Sequence, residues 1–339
     1  MKNGLMAYGF MQLKAGDTDY TPVFLIQDYS GKTNYSKNTK FLTHFVAQHP
    51  RDPKRLLLVP RGEMLGAIAG IVDRSTIDLK YFMASSGDHL LYGHGFFFGE
   101  GKEFVVTERG KDFSGRLVFR DNESLEVSRV IELPGFGPHD CVLLPDGNTV
   151  AVAMTGLNSA EERIHSGRVL LMNLRDGSVT GTMEAPVEAG IVHLSVYEHQ
   201  LIGLLSGKNA NGPAAFFTMA KFNEPFSVPS GPSDFKWPGL ENFSVAVDTK
   251  RARALVTNPT GNVISYWDLK TRKLLKVVDV PGPVGVILAD DGSTYIIIGT
   301  LGFIFHFDAE TCELRKMVSS DIAGYPQFHL TNLEGISHE

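Results

Sequence analysis

The chain has 339 residues, of which 43% are apolar and 21% charged, and its formal net charge is −6. That apolar content at this length supplies a sizeable buried core, which excludes a disordered, collagenous or coiled-coil chain. The acidic balance, with no basic cluster larger than Lys250, Arg251 and Arg253, excludes a nucleic-acid footprint or a patch for anionic membranes, and no apolar run approaches the roughly 18 residues of a membrane span.

From the N-terminus, strand-like runs are expected at residues 5–13, 21–27 and, more weakly, 34–40. The first of these reads as an amphipathic strand rather than a signal peptide, because an A-x-A-like cleavage site is missing. Further β-branched or aromatic runs follow at 104–106, 150–153, 168–172 and 295–298, bounded by Gly, Pro, Asp or Asn. Asp146-Gly147, Asp176-Gly177 and Asp291-Gly292 read as tight hairpin turns, where glycine accepts positive φ and the aspartate caps its own turn. Helical periodicity is nearly absent. Two cysteines, Cys141 and Cys312, are too few for a disulfide framework, and Cys141 reads as a small buried hydrophobe.

Internal repetition defines the architecture. Residues His44, His94, His139, His193, Phe243, Gly285 and His329 each sit second in a similar strand-opening step, spaced by 50, 45, 54, 50, 42 and 44 residues. Seven copies of a unit this long, each a strand, a turn, a second strand and an outer hairpin, predict an all-β, seven-bladed β-propeller. The seventh copy has room for only one inner strand before the C-terminus. The three N-terminal strands would complete that blade and close the ring without a covalent link, making residues 1–339 a single propeller domain.

In a propeller the opening residues of the innermost strands converge on the axis. Five of those seven positions are histidine, although only 11 of 339 residues are, about three in a hundred. His44, His94, His139, His193 and His329 lie on consecutive blades and form an arc at one channel mouth. Neutral imidazole suits transition metals, whereas calcium and magnesium favour oxygen. Iron or copper is the expected metal, with zinc as the further candidate. Several imidazoles at close range also depress one another's protonation, which is unfavourable unless something binds there. The second strands return to the same rim and bring Arg61, Glu108 and Arg109 near the arc. Glu108 is read as a ligand or as an acceptor orienting an imidazole, and Arg61 and Arg109 as holders of an anion, such as a carboxylate chelating the metal. Inter-blade salt bridges are the structural alternative for these three. Asp140 follows His139 directly, so strand alternation turns it away from the axis, toward a structural role between blades. Trp237 and Trp267 read as blade packing, and the other six histidines as surface or structural.

The steps Leu91-Tyr92-Gly93-His94-Gly95, Thr107-Glu108-Arg109 and Gly137-Pro138-His139-Asp140, the last running on to Leu144-Pro145-Asp146-Gly147, resemble the bacterial domain-of-unknown-function family 1513. Weaker echoes run from about residue 40 to His329. The resemblance implies an exported propeller considered alongside periplasmic iron-handling proteins, with no established reaction, and hence a periplasmic location. Asp140, Arg109 and Val192 depart from that family's usual Glu, Asn and Arg, and Met154-Thr155-Gly156 departs from its Asn-Gly-Gly. The histidines match it. The sequence by itself suits a cytoplasmic protein equally well.

No nucleophile elbow, HExxH helix, Walker loop, dinucleotide fingerprint or haem-attachment motif is present, so no reaction is assigned. The partners expected are a metal ion or small metal chelate. Two other readings compete. One is a protein-interaction scaffold using residues 209–237, rich in Phe216, Phe217, Phe222, Phe226 and Phe235. The other is a lactonase-like hydrolase, which needs a carboxylate-rich channel.

Overall fold

The computed structural model describes residues 4–13, 20–62, 67–76, 78–158, 166–186, 188–206, 218–228, 242–326 and 329–333. Within them the chain folds into seven antiparallel sheets arranged as the blades of a propeller, as the repeat predicts. The innermost strands of blades 1 to 6 are Thr43–Gln48, His89–Phe98, Pro138–Leu143, Gly190–Tyr197, Ser244–Asp248 and Pro283–Leu288. Blade 4 carries three strands among the described residues and the other five carry four. The Asp-Gly turns fall between neighbouring strands of a sheet, and the Asp146 and Asp176 carboxylates accept bonds from the turn backbone.

Blade 7 joins the two ends of the chain. Leu5–Leu13, Tyr20–Asp28 and Thr33–Asn38 form its outer three strands. Its innermost position is filled from the C-terminus by two short strands, Gly324–Pro326 and Thr331–Leu333, both paired antiparallel with Leu5–Leu13. The expected closure is present, but its strand is broken, and His329 lies in the break. Thr331 Oγ1 donates to the Val46 carbonyl at 2.6 Å, tying the closing strand to blade 1.

The core lies between blades. Each of seven buried apolar clusters spans one pair of neighbouring sheets, and the one that closes the ring sets Ala7, Phe24 and Ile26 of blade 7 against Leu56, Leu58 and Val72 of blade 1. Burying side chains of this size contributes about 1.5–3 kcal/mol each, so ring closure rests on apolar packing as much as on the two short strands. Trp267 is fully buried between blades 4 and 5, as expected of a packing residue, while Trp237 lies outside the described residues. Cys141 and Cys312 are free thiols buried between blades 2 and 3 and between blades 5 and 6.

Most of the proposed interaction loop, 209–237, also lies outside the described residues, Phe216, Phe217 and Phe235 included. Its two described phenylalanines do not form an exposed face. Phe226 is buried in the core between blades 3 and 4, and Phe222 packs against the same cluster.

Candidate metal centre

A regular strand alternates its side chains between faces, so it would not by itself turn one residue onto the axis. The inner strands solve this with a repeated irregularity. In blade 1 the register shifts between Thr43 and Phe45, which frees His44 from the ladder, and blade 2 shifts between Leu91 and Gly95, around His94. Blade 3 shifts between Pro138 and Cys141, around His139 and Asp140, and blade 4 between Ile191 and His193. A bulge of this kind re-aims a side chain at the end of a strand. Blade 5 has Phe243 at the equivalent position and pairs in regular register from Ser244 onward. In blade 6 a Cβ on Gly285 would lie 2.9 Å from the Leu330 nitrogen, so the closing strand leaves no room for a side chain there.

The Tyr-Gly-His-Gly step has a matching physical reason. Gly93 has φ +105, which L residues rarely adopt, and a Cβ on it would lie 3.3 Å from both the His139 and the His44 rings. Thr107, on the second strand of blade 2, secures the bulges on both sides. Its Oγ1 lies 3.1 Å from the Tyr92 carbonyl and 3.3 and 3.2 Å from those of His94 and His139.

The five imidazoles meet. Ring centroids of His94 lie 5.2, 5.3, 5.3 and 4.9 Å from those of His44, His139, His193 and His329. His44 and His193, the widest of the measured pairs, are 6.2 Å apart. Two imidazoles sharing one ion through bonds of about 2.0–2.1 Å would place their centroids about 5 Å apart at a tetrahedral angle and about 6 Å apart when opposed. Nitrogens of His44, His94 and His329, and separately of His94, His139 and His193, lie within 4.8 Å of one another. His94 belongs to both triads.

The cluster is buried rather than open at a mouth: the five side-bearing residues are between 2% and 7% exposed. Burial is the first cause holding His44, His139, His193 and His329 well below the ordinary histidine value, and the neighbouring imidazoles are the next. All four are therefore neutral at pH 7 and can offer a lone pair. His94 Nε2, His193 Nδ1 and His329 Nε2 are buried without a hydrogen-bond partner among the described residues. An orphaned buried polar atom costs about 1–3 kcal/mol, and a bound cation would satisfy those ring nitrogens that present a lone pair. The donor set fits a borderline transition metal.

Asp140 corrects one expectation. It does bridge blades, since its Oδ2 accepts from the Leu194 nitrogen at 2.8 Å, but its Oδ1 also lies 2.9 Å from His94 Nδ1. The bulge at 138–141 defeats the alternation that would have turned it away. The contact is close but its angle is not that of a hydrogen bond; a carboxylate beside Nδ1 is the usual partner that orients a histidine ligand and leaves Nε2 for a metal.

The other three charged residues separate. Arg61 and Arg109 stand close enough for their positive charge to disfavour protonation of the cluster, Arg61 acting on His44, His139 and His329 and Arg109 on His139. Arg109 is stacked 4.1 Å from the Tyr92 and Phe113 rings and donates to Tyr92 Oη at 2.9 Å. Glu108 is placed elsewhere. Thr107 faces the bulges, so the next residue points to the opposite face. There Glu108, fully buried, accepts from Ser85 N at 2.8 Å and from Arg116 Nε and Nη2 at 3.1 Å each, with Arg120 4.0 Å away. Glu108→Gln is expected to leave metal uptake unchanged and to lower unfolding stability by about 3 kcal/mol, because two nearly buried arginines lose their counter-charge. A urea titration alongside a metal-binding isotherm checks both halves.

A cavity of about 570 Å³ continues from the cluster along the axis between the inner strands. His94, His193 and His329 line it, whereas His44 and His139 do not, so the cluster forms the end of a channel.

Fold and site together define a seven-bladed β-propeller whose axis carries a buried five-histidine cluster with the geometry to hold a metal ion. The chain belongs to the family described as "Protein of unknown function (DUF1513)", whose model matches residues 41–323. Among solved structures it is similar to Kuenenia stuttgartiensis Hydrazine Synthase, with 15% sequence identity and a TM-score of 0.63 over 89% of this chain and 90% of that one, a likeness of fold alone. No curated protein matches the sequence. Among the described residues, no helix is long and apolar enough to cross a membrane.

Proposed function

We propose that this propeller binds a transition metal, iron or copper before zinc, through His94 together with His44, His139, His193 and His329, and serves in metal handling in the periplasm. One observation carries the reading: five blades each bring an imidazole to one buried point, and four of those rings are held neutral there. An inter-blade packing role would be met by hydrophobes at far lower desolvation cost. Imidazole donors suit iron, copper and zinc alike. Arg61 and Arg109 supply positive charge at the rim where the second strands end, suited to an anion that accompanies the metal. Glu108 has no part in this.

The hydrolase reading needs several carboxylates in the channel, and Asp140 is the one acidic residue along its described wall. Elemental analysis of protein purified from metal-replete cells should return close to one equivalent of iron or copper. Below a tenth of an equivalent of any transition metal, with no uptake on titration, the proposal fails.

A further inference from the structure

Resting on the metal reading above, we infer that the channel delivers to the bound metal a small, uncharged, apolar molecule and excludes anions. The cavity follows the inner strands from the histidines for three to four residues, about 10–13 Å at the rise of a strand, and ends beside the exposed Pro50. Its wall is mostly apolar: Phe45, Phe96, Val142, Val196, Val245 and Leu288, all half-buried, line it on blades 1 to 6, with Gln48, Ser195, Ser244 and Asn332 as uncharged polar neighbours.

Charge is the deciding feature. Among the described residues no lysine or arginine lines the cavity, and the single carboxylate there, Asp140, already accepts from the backbone nitrogens of Cys141 and Leu194 and lies 2.9 Å from His94 Nδ1. An anion entering here would shed its hydration along a wall without a cationic side chain and pass a buried carboxylate before it reached the ion. A neutral apolar molecule loses nothing comparable and gains the wall. The arrangement of ligands agrees with this direction of approach. His94, His193 and His329 line the cavity whereas His44 and His139 do not, so a molecule in the channel would reach an ion held by the cluster from the side of those three rings.

The test uses the full chain loaded with cobalt(II), whose visible spectrum reports on its ligands. 4-Phenylimidazole, a neutral apolar donor, should change that spectrum at a concentration at least tenfold below that needed by azide or citrate. Ser195→Phe, which narrows the wall at a small, half-buried position outside the apolar clusters, should weaken the 4-phenylimidazole response at least tenfold while cobalt uptake stays the same. Xenon diffused into crystals of the unsubstituted, metal-free protein should occupy the channel, as it does dry apolar cavities. Azide or citrate acting at equal or lower concentration, or a channel without xenon, overturns the inference with the metal site intact. Failure to take up cobalt at all overturns the metal reading instead, and the xenon result then reports on the channel separately.

Discussion

Replacing His94 with alanine should weaken metal binding by more than about 10²-fold, the largest effect of any single substitution in the cluster. His94 is the member common to both nitrogen triads, and its centroid lies within 5.3 Å of each of the other four. Without it neither triad is complete. Removing His44 spoils one triad and leaves His94, His139 and His193 in place, so a smaller loss is expected there. Asp140→Asn keeps the shape beside His94 Nδ1 but removes the charge that orients and polarises the ring. A loss of 10–100-fold is the usual consequence for such a partner. Competition titrations against a chromophoric chelator, run on His94→Ala, His44→Ala and Asp140→Asn, should rank in the order His94, then the other two. Equal, small effects at all three positions would mean that the ion is held elsewhere.

The second large effect is a steep loss of stability in mild acid. In the folded, metal-free protein His44, His139, His193 and His329 stay neutral well below pH 6.5, through burial first and mutual repulsion second. In the unfolded chain the same side chains protonate near 6.5. Below that pH the unfolded state binds more protons, so the stability these groups permit is complete above about pH 6.5 and declines as pH falls beneath it. Each such group contributes a slope of about 1.4 kcal/mol per pH unit, and the four together about 5 kcal/mol per unit. His306, buried in the third strand of blade 6 and lowered to about 4, adds to the same trend. A domain with a typical 5–15 kcal/mol of stability would lose most of it between pH 6.5 and 5. Thermal melts of metal-free protein should therefore fall sharply across that interval. Added metal at a hundred times its dissociation constant should recover about 2.7 kcal/mol. A flat profile from pH 7 to 5 would show that the imidazoles are not held neutral.

Much of this was legible in the sequence because the propeller converts periodic sequence into convergent space. His44, His94, His139, His193 and His329 recur at blade spacing, and ring geometry alone makes them neighbours. Blade 7 was equally readable, since a lone C-terminal strand and three N-terminal ones leave a single way to close the ring. What escaped was local backbone irregularity. Strand alternation assigned Asp140 to the face opposite His139, and the bulge between Pro138 and Cys141 removes the premise of that argument. No residue type announces such a bulge in advance, although Pro138 and the neighbouring Gly137 are compatible with one. The same alternation, applied to Thr107, Glu108 and Arg109, would have separated Glu108 from the axis, because adjacent residues on a regular strand cannot share a face. Thr107 is illegible in the sequence for a different reason. A single hydroxyl that holds bulge carbonyls has no pattern in sequence that distinguishes it from any strand threonine. Burial of the cluster, rather than its exposure at a rim, follows from packing that sequence spacing does not encode.

The most direct measurement is anomalous diffraction from crystals grown with iron or copper, recorded on both sides of the metal's absorption edge. The account predicts one peak on the propeller axis, about 2.0–2.3 Å from a His94 nitrogen and from nitrogens of at least two of His44, His139, His193 and His329. A map with those five rings well ordered and no anomalous density among them, or with the ion bound by other residues, would contradict it.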